Sequence, residues 1–117
     1  MVLPYPPSIN SYYRTFRGRM LISAKGREYR KVVEVELDGV GTVAGRVAVS
    51  ILGYPPDRRR RDLDNVQKAL LDSIEHAGVI EDDSMIDDLH TIRKEVIPSA
   101  GKVIVTITSI EKASPPR

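Results

Sequence analysis

The most regular pattern in the chain lies between Leu63 and Ala77. Leu63, Val66, Leu70 and Ile74 recur at spacings of three and four, with Leu71 and Ala77 beside them and Gly78 following. This is the stripe of an amphipathic helix with a glycine stop. A second helix is expected from an N-cap at Ser23 to about Leu37. Tyr29, Val32, Val33 and Leu37 give it a partial stripe, and Asp38-Gly39 and Gly41 end it. Strand patterns surround the helices. Val43 to Leu52 alternates, with Val43, Val47, Val49 and Ile51 sharing parity, and Gly53 to Asp57 breaks it. Lys102 to Ile110 is β-branched and alternates cleanly, as a central strand does. Met85 to Ile97 is strand-like, and Pro98-Ser99-Ala100-Gly101 reads as the hairpin loop joining it to the last strand. Near the start, Val2 to Tyr5 is an edge strand limited by Pro4, Pro6 and Pro7. Pro6 to Gly18 reads as loop and Met20-Leu21-Ile22 as a short strand. The order β–(β)–α–β–α–β–β predicts an α/β (α+β) fold, a small mixed β-sheet with two helices packed on it. One domain spans 1–110, followed by a polar, frayed tail at 111–117.

Composition narrows the function classes. At 117 residues the chain holds one core, and 41% hydrophobic with 29% charged residues is an ordinary globular mix. Without cysteine, disulfides, thiolate metal sites and thiol nucleophiles are excluded. No apolar run approaches the roughly 20 residues of a membrane span, and MVLPYPPSINSYYR is no secretory signal. A cytoplasmic protein with no membrane partner is expected. Net charge is only +2, but the charge is segregated. Arg14 to Lys31 holds seven bases and one acid, a local +6, whereas Glu81 to Asp88 holds five acids and no base, a local −5. That asymmetry points to a polyanionic partner together with a task that needs carboxylates.

The chemistry concentrates in Asp57-Arg58-Arg59-Arg60-Arg61-Asp62-Leu63-Asp64-Asn65-Val66-Gln67-Lys68. Arginine forks bind phosphate bidentately and stay ionised. Asp-x-Asp offers the hard oxygen donors that Mg²⁺ prefers. If residues 62–64 are extended, both carboxylates project to one side; if the helix has begun, they point apart. Asp64 and Lys68, four apart, share a helix face. The second acidic block, Glu81-Asp82-Asp83, lies beyond the helix, and about 22 Å of helix would have to be retraced to bring it back. Spacing alone therefore does not put Asp83 beside Asp62. Plainer readings compete at each position: Asp62 as an N-cap, Asp64 as a helix-dipole charge, Lys68 as a surface ion-pair residue. Glu81, Asp87 and Asp88 read as an exposed acidic turn, and Tyr12 and Tyr13 as loop packing or base stacking. His76 and His90 suggest no ligand pair.

These residues resemble the RusA-type Holliday junction resolvases, a family of bacterial and prophage endodeoxyribonucleases. The resemblance runs through Pro6-Pro7-Ser8-Ile9-Asn10-Ser11-Tyr12-Tyr13, Ser23-Ala24-Lys25-Gly26 with Tyr29-Arg30, the Asp57–Lys68 segment, and Ala77-Gly78 with Asp82-Asp83. It implies a catalytic, metal-binding set of Asp62, Asp64 and Asp83, with Lys68 as an essential lysine and Arg61 and Asn65 in support. It implies Mg²⁺, with Mn²⁺ as a substitute, and no small-molecule organic cofactor. Four-way junction DNA would be cut by paired phosphodiester hydrolysis, in recombination and repair. The DNA-binding set would include Arg58, Arg59, Arg60, Arg61, Asn65, Asn10, Tyr13, Arg14, Arg17, Arg19 and Lys25. Paired cuts imply a homodimer. Where the family often carries an aromatic after the helix-ending glycine, this chain has Val79-Ile80. Two other classes stay open on the residues alone: a non-catalytic junction-binding module, and a structural protein whose charges serve solubility.

Overall fold

In the computed structural model, which describes residues 1–110, the alternating run becomes strand β4 (Val47–Tyr54). Val47, Val49 and Ile51 point into the core, while the intervening residues lie half-exposed on the other face. The last strand, β6 (Lys102–Ser109), pairs antiparallel with β4 on one side. The first, β1 (Val2–Leu3), pairs antiparallel with β6. Strand β5 (Ile86–Arg93) lies parallel to β4 on the other side, giving the order β1-β6-β4-β5. The sheet is mixed, as expected, with β6 and β4 central.

Two long helices cover one face. Helix α2 (Ala24–Glu36) is capped by the Ser23 hydroxyl, which accepts from the Gly26 backbone N–H at 2.9 Å. Helix α3 (Leu63–His76) buries Val66, Ala69, Leu70 and Ile74 against Val33 and Leu37 and the inner sheet face. Because β4 and β5 are parallel, α3 must run back antiparallel to both. Its start lies at the carboxyl ends of these strands and its finish at their amino ends.

Several expectations need correction. Pro6 to Gly18 is not a loop: it contains helix α1 (Ile9–Tyr12) and strand β2 (Tyr13–Phe16), which pairs with β3 (Arg19–Ile22) as a separate hairpin. These elements are too short for a periodic signal and are held by caps and distant contacts: the Ser8 hydroxyl accepts from the Ser11 N–H at 3.3 Å, and Tyr12 is wholly buried. The third strand starts at Val47, not Val43, because the backbone turns through positive φ at Gly41 and Gly45; Val43 forms only an isolated bridge to Ile80. Met85 does not begin β5: residues Asp83–Met85 form a 3-10 turn. Beyond Arg93 the chain crosses the end of β4, with the Ile97 N–H donating to the Pro55 carbonyl at 2.9 Å. Pro98–Gly101 is therefore no hairpin loop, since β4 lies between the strands it joins. Val32, counted in the α2 stripe, is 39% exposed. The tail expected at 111–117 lies outside the described residues.

Glycine is required at position 26. A Cβ there would lie 2.4 Å from the Tyr12 carbonyl oxygen, so the close seat of α1 on α2 depends on its absence.

Candidate active site

The segment before α3 folds on itself around Asp57. Its Oδ1 accepts from the Arg59 backbone N–H at 2.9 Å and from Arg61 Nη1 at 2.5 Å, and its Oδ2 accepts from Arg61 Nη2 at 3.1 Å. The Arg61 fork, then the Arg59 N–H, hold the Asp57 carboxyl far below the usual carboxylate range. The Arg61 guanidinium also stands 5.7 Å from the Tyr5 ring centre, and Arg93 donates to the Arg61 carbonyl. Arg61 is thus committed to shaping the loop. Arg58, Arg59 and Arg60 stay exposed, with the Arg59 side chain 82% accessible.

Asp62 occupies the N-cap position of α3 in extended geometry (φ −85°, ψ 145°), yet its side chain makes no capping bond. Its carboxylate is exposed, as are Asp64 in the first turn and Lys68 one turn on. Asn65 does not face outward: its Oδ1 accepts from the Ile9 N–H at 3.3 Å and pins α1 to α3. A cleft of about 280 Å³ opens here, lined by Tyr5, Pro7, Arg60, Asp62 and Asn65. A neighbouring groove of about 590 Å³ continues past Arg59 to Ser11 and Lys25.

Beneath this surface Tyr12, Arg30 and Asp72 lock the three helices together. The Tyr12 hydroxyl donates to Asp72 Oδ2, Arg30 Nη2 donates to the same oxygen at 2.6 Å, and Arg30 Nε donates to the Tyr12 oxygen at 2.7 Å. Burial first, then the Asp72 bond, pushes the Tyr12 phenol up to about 12. Burial would raise the Asp72 carboxyl, but the Tyr12 and Arg30 hydrogen bonds outweigh it and the net direction is down. Tyr12 is therefore packing, not a base-stacking residue. Tyr13 is half-buried edge-on against it, with ring centres 4.8 Å apart. Asn10, Arg14, Arg17, Arg19 and Lys25 are exposed.

Asp83 lies elsewhere. Its backbone N–H donates to Glu75 Oε1 at 2.7 Å, in the last turn of α3. Eleven residues of helix separate Glu75 from Asp64, roughly 16 Å along the axis. Within one chain, then, Asp62, Asp64 and Lys68 stand at one end of α3 and Asp83 at the other. At Asp83's end, carboxylate oxygens of Glu75, Asp82 and Asp83 come within 4.8 Å of one another. Asp82 and Asp83 are exposed and Glu75 is half-buried, and all three offer hard oxygen donors of the kind a divalent cation takes. The Ser84 backbone N–H, then its hydroxyl, hold the Asp82 carboxyl below its usual range. Glu75 was missed in the sequence, although it sits one turn before the Gly78 stop, where the chain must reverse. Glu81 is not a free acid of the turn, since its Oε1 accepts from the Gly45 N–H at 2.6 Å. Asp87 pairs with Arg46, and Asp88 with His90 at 2.8 Å.

Exposed carboxylates beside exposed guanidiniums suit one class of partner, the nucleic-acid phosphodiester. The chain belongs to the endodeoxyribonuclease RusA family, whose model matches residues 4–108. It is 44% identical over 115 residues to a crossover junction endodeoxyribonuclease rusA of Enterobacteria phage HK97, covering 94% of this chain and 93% of that one. It is 40% identical over 114 residues, with the same coverage, to crossover junction endodeoxyribonucleases RusA of Enterobacteria phage 82 and Escherichia coli K12.

Proposed function

We propose that this protein is a structure-selective endonuclease that resolves four-way DNA junctions by metal-dependent phosphodiester hydrolysis, acting as a homodimer in a bacterial cytoplasm. The family and the names of its relatives support the reaction. The carboxylate chemistry supports Mg²⁺, with Mn²⁺ as substitute, held by Asp62, Asp64 and Asp83. A bound ion supplies positive charge against the phosphodiester and acidity to water. Lys68, on the Asp64 face of α3, sets an ammonium against the charge that develops on phosphate. Arg58, Arg59 and Arg60 hold flanking phosphates, and Arg61 keeps their loop in shape through Asp57. Asn65 lines the cleft beside Asp62 and Lys25 the neighbouring groove, while Asn10 and Tyr13 lie in the adjoining α1–β2 segment. Among the described residues no helix is long and apolar enough to cross a membrane.

The observation that carries the quaternary part is the length of α3. One chain cannot join Asp83 to Asp62 and Asp64, so the metal site is shared between subunits. Strand β5 supplies a route, because no described strand covers its outer edge and Leu89 and Ile92 are exposed on it. Antiparallel pairing of β5 with its own copy sets the Ile86 end of one against the Arg93 end of the other. Asp83 then approaches the partner subunit's Asp62, twice over by symmetry.

The test is complementation between two inactive variants. Asp62→Asn and Asp83→Asn are each expected to fail to cut a synthetic four-way junction in Mg²⁺. Co-expressed, they form heterodimers with one intact shared site, and about one quarter of wild-type nicking returns from random pairing. No recovery, with wild type active and heterodimers present, refutes the shared site. Wild type that binds junctions but never cuts them in Mg²⁺ or Mn²⁺ would instead be a binding module.

A further inference from the structure

Among the described residues, the β2–β3 hairpin beyond its base, where Tyr13 and Ile22 pack on the core, is explained neither by the core nor by the carboxylates. Its strands pair only with each other, and every residue from Arg14 to Met20 is exposed. Two-stranded ribbons are marginal alone, so the ribbon takes its support from α1 and α2 at its base. At its tip is the chain's single phenylalanine, Phe16, 49% exposed. The Arg14 and Arg17 guanidiniums stand 5.6 and 5.3 Å from its ring centre. Arg19 lies directly across the ladder from Phe16. Met20, 68% exposed, lies on the opposite face of the ribbon. Residues 13–22 hold three arginines and no acid. The turn has Arg17 at φ 51° and Gly18 at φ 72°, the geometry of a tight two-residue hairpin. A non-glycine residue at positive φ is disfavoured, so a bulky arginine there holds its position against local backbone preference.

We propose that this hairpin is a wedge for the open centre of the junction, with Phe16 stacking on bases at the branch point and Arg14, Arg17 and Arg19 on the converging phosphates. The inference rests on the junction-cleaving reading and adds to it the element that senses branching. A two-stranded ribbon fits a DNA groove, apolar wedges of Phe and Met enter base steps, and an aromatic ring stacks on any base. Charge selects DNA over a protein partner, because three guanidiniums crowd the apolar group with no acid among them. The ribbon also grows directly from α1, which Asn65 pins beside Asp62. Four-residue strands carry the tip about 13 Å from that base.

The experiment compares Phe16→Ala, Phe16→Trp and Arg17→Ala with wild type, in chelator, on a four-way junction and a linear duplex of the same sequence. The junction carries 2-aminopurine at the branch point. Loss of one aromatic stack predicts that Phe16→Ala weakens junction binding about 5- to 100-fold, leaves duplex binding within two-fold, and loses the 2-aminopurine change. Phe16→Trp keeps both. Arg17→Ala weakens junction binding more than duplex binding and lowers the junction salt slope by about 0.9. An unchanged junction-to-duplex ratio for Phe16→Ala, or equal loss on both DNAs, overturns the wedge. A shift of Phe16→Ala in sedimentation from the wild-type species overturns it in favour of a protein contact. Wild type that shows no junction preference at all defeats the junction-cleaving reading itself, an outcome separate from these.

Discussion

Tyr12→Phe removes one oxygen from a wholly buried site and leaves the ring, its packing and its neighbours in place. Three interactions go with it: the hydroxyl's donation to Asp72, the acceptance from Arg30 Nε at 2.7 Å and a long contact with Ser73 Oγ at 3.5 Å. Asp72 is not orphaned, because Arg30 Nη2 still reaches it at 2.6 Å. The cost is therefore that of a hydrogen bond to a charged group, about 1.5–3 kcal/mol, not the larger penalty of an uncompensated buried charge. For a chain of this length that lowers Tm by roughly 5–12 °C. The pH dependence separates this from a packing defect. The folded phenol lies at about 12 against 10.0 unperturbed. A raised value contributes stability that is complete below pH 10 and lost as pH rises through about 12. The Asp72 carboxyl is lowered, so its contribution is present above its ordinary 3.8 and lost as pH falls through its folded value. The gap between wild type and variant, followed by circular dichroism melting from pH 3 to 11.5, should be widest near neutrality and narrow toward both ends. A gap under 0.5 kcal/mol at pH 7, or one that grows above pH 10, would refute the assignment of Tyr12 as a neutral donor to an ionised Asp72.

Two further substitutions separate architecture from chemistry. Gly26→Ala drives a methyl group to 2.4 Å from the Tyr12 carbonyl, so α1 must lift from α2; urea unfolding should show a loss of at least about 1–3 kcal/mol, and a neutral result would mean that α1 is not seated as described. Lys68→Ala should keep junction affinity within a few-fold while the single-turnover cutting rate falls about 10²- to 10³-fold; collapse of binding in gel shifts would show that Lys68 serves affinity instead.

The sequence exposes α3 and β6 because both are long enough for their periods to repeat: Leu63, Val66, Leu70 and Ile74 need no tertiary help to be read. It hides α1 and β2 for the opposite reason. The four residues of α1 are fixed by partners far along the chain, Asn65 for Ile9 and Asp72 for Tyr12, and the four of β2 pair only with the equally short β3. The early start expected for β4 fails at Gly45, where two apolar residues of matching parity, Val43 and Val47, flank a bend. At the site, residue types were legible and their employment was not. Four consecutive arginines look alike in sequence, yet Asp57 takes Arg61 out of the exposed set. Asp83 illustrates the same limit at larger scale. Periodicity measures the helix between two acidic groups, but whether they meet depends on where the chain turns back, and Asp83 sits in the 3-10 turn before β5 begins its return, so it stays at the far end of α3.

In the shared site proposed above, α3, with Asp62 at its start and Asp83 beside its end, also works as a spacer bar. When a pair of such bars lies side by side in opposite directions, the gap between the two incision points is set by their length rather than by any flexible contact. Lengthening α3 by one full turn, about 5.4 Å, would leave every catalytic side chain present and move the two cuts out of step with the strands they must sever.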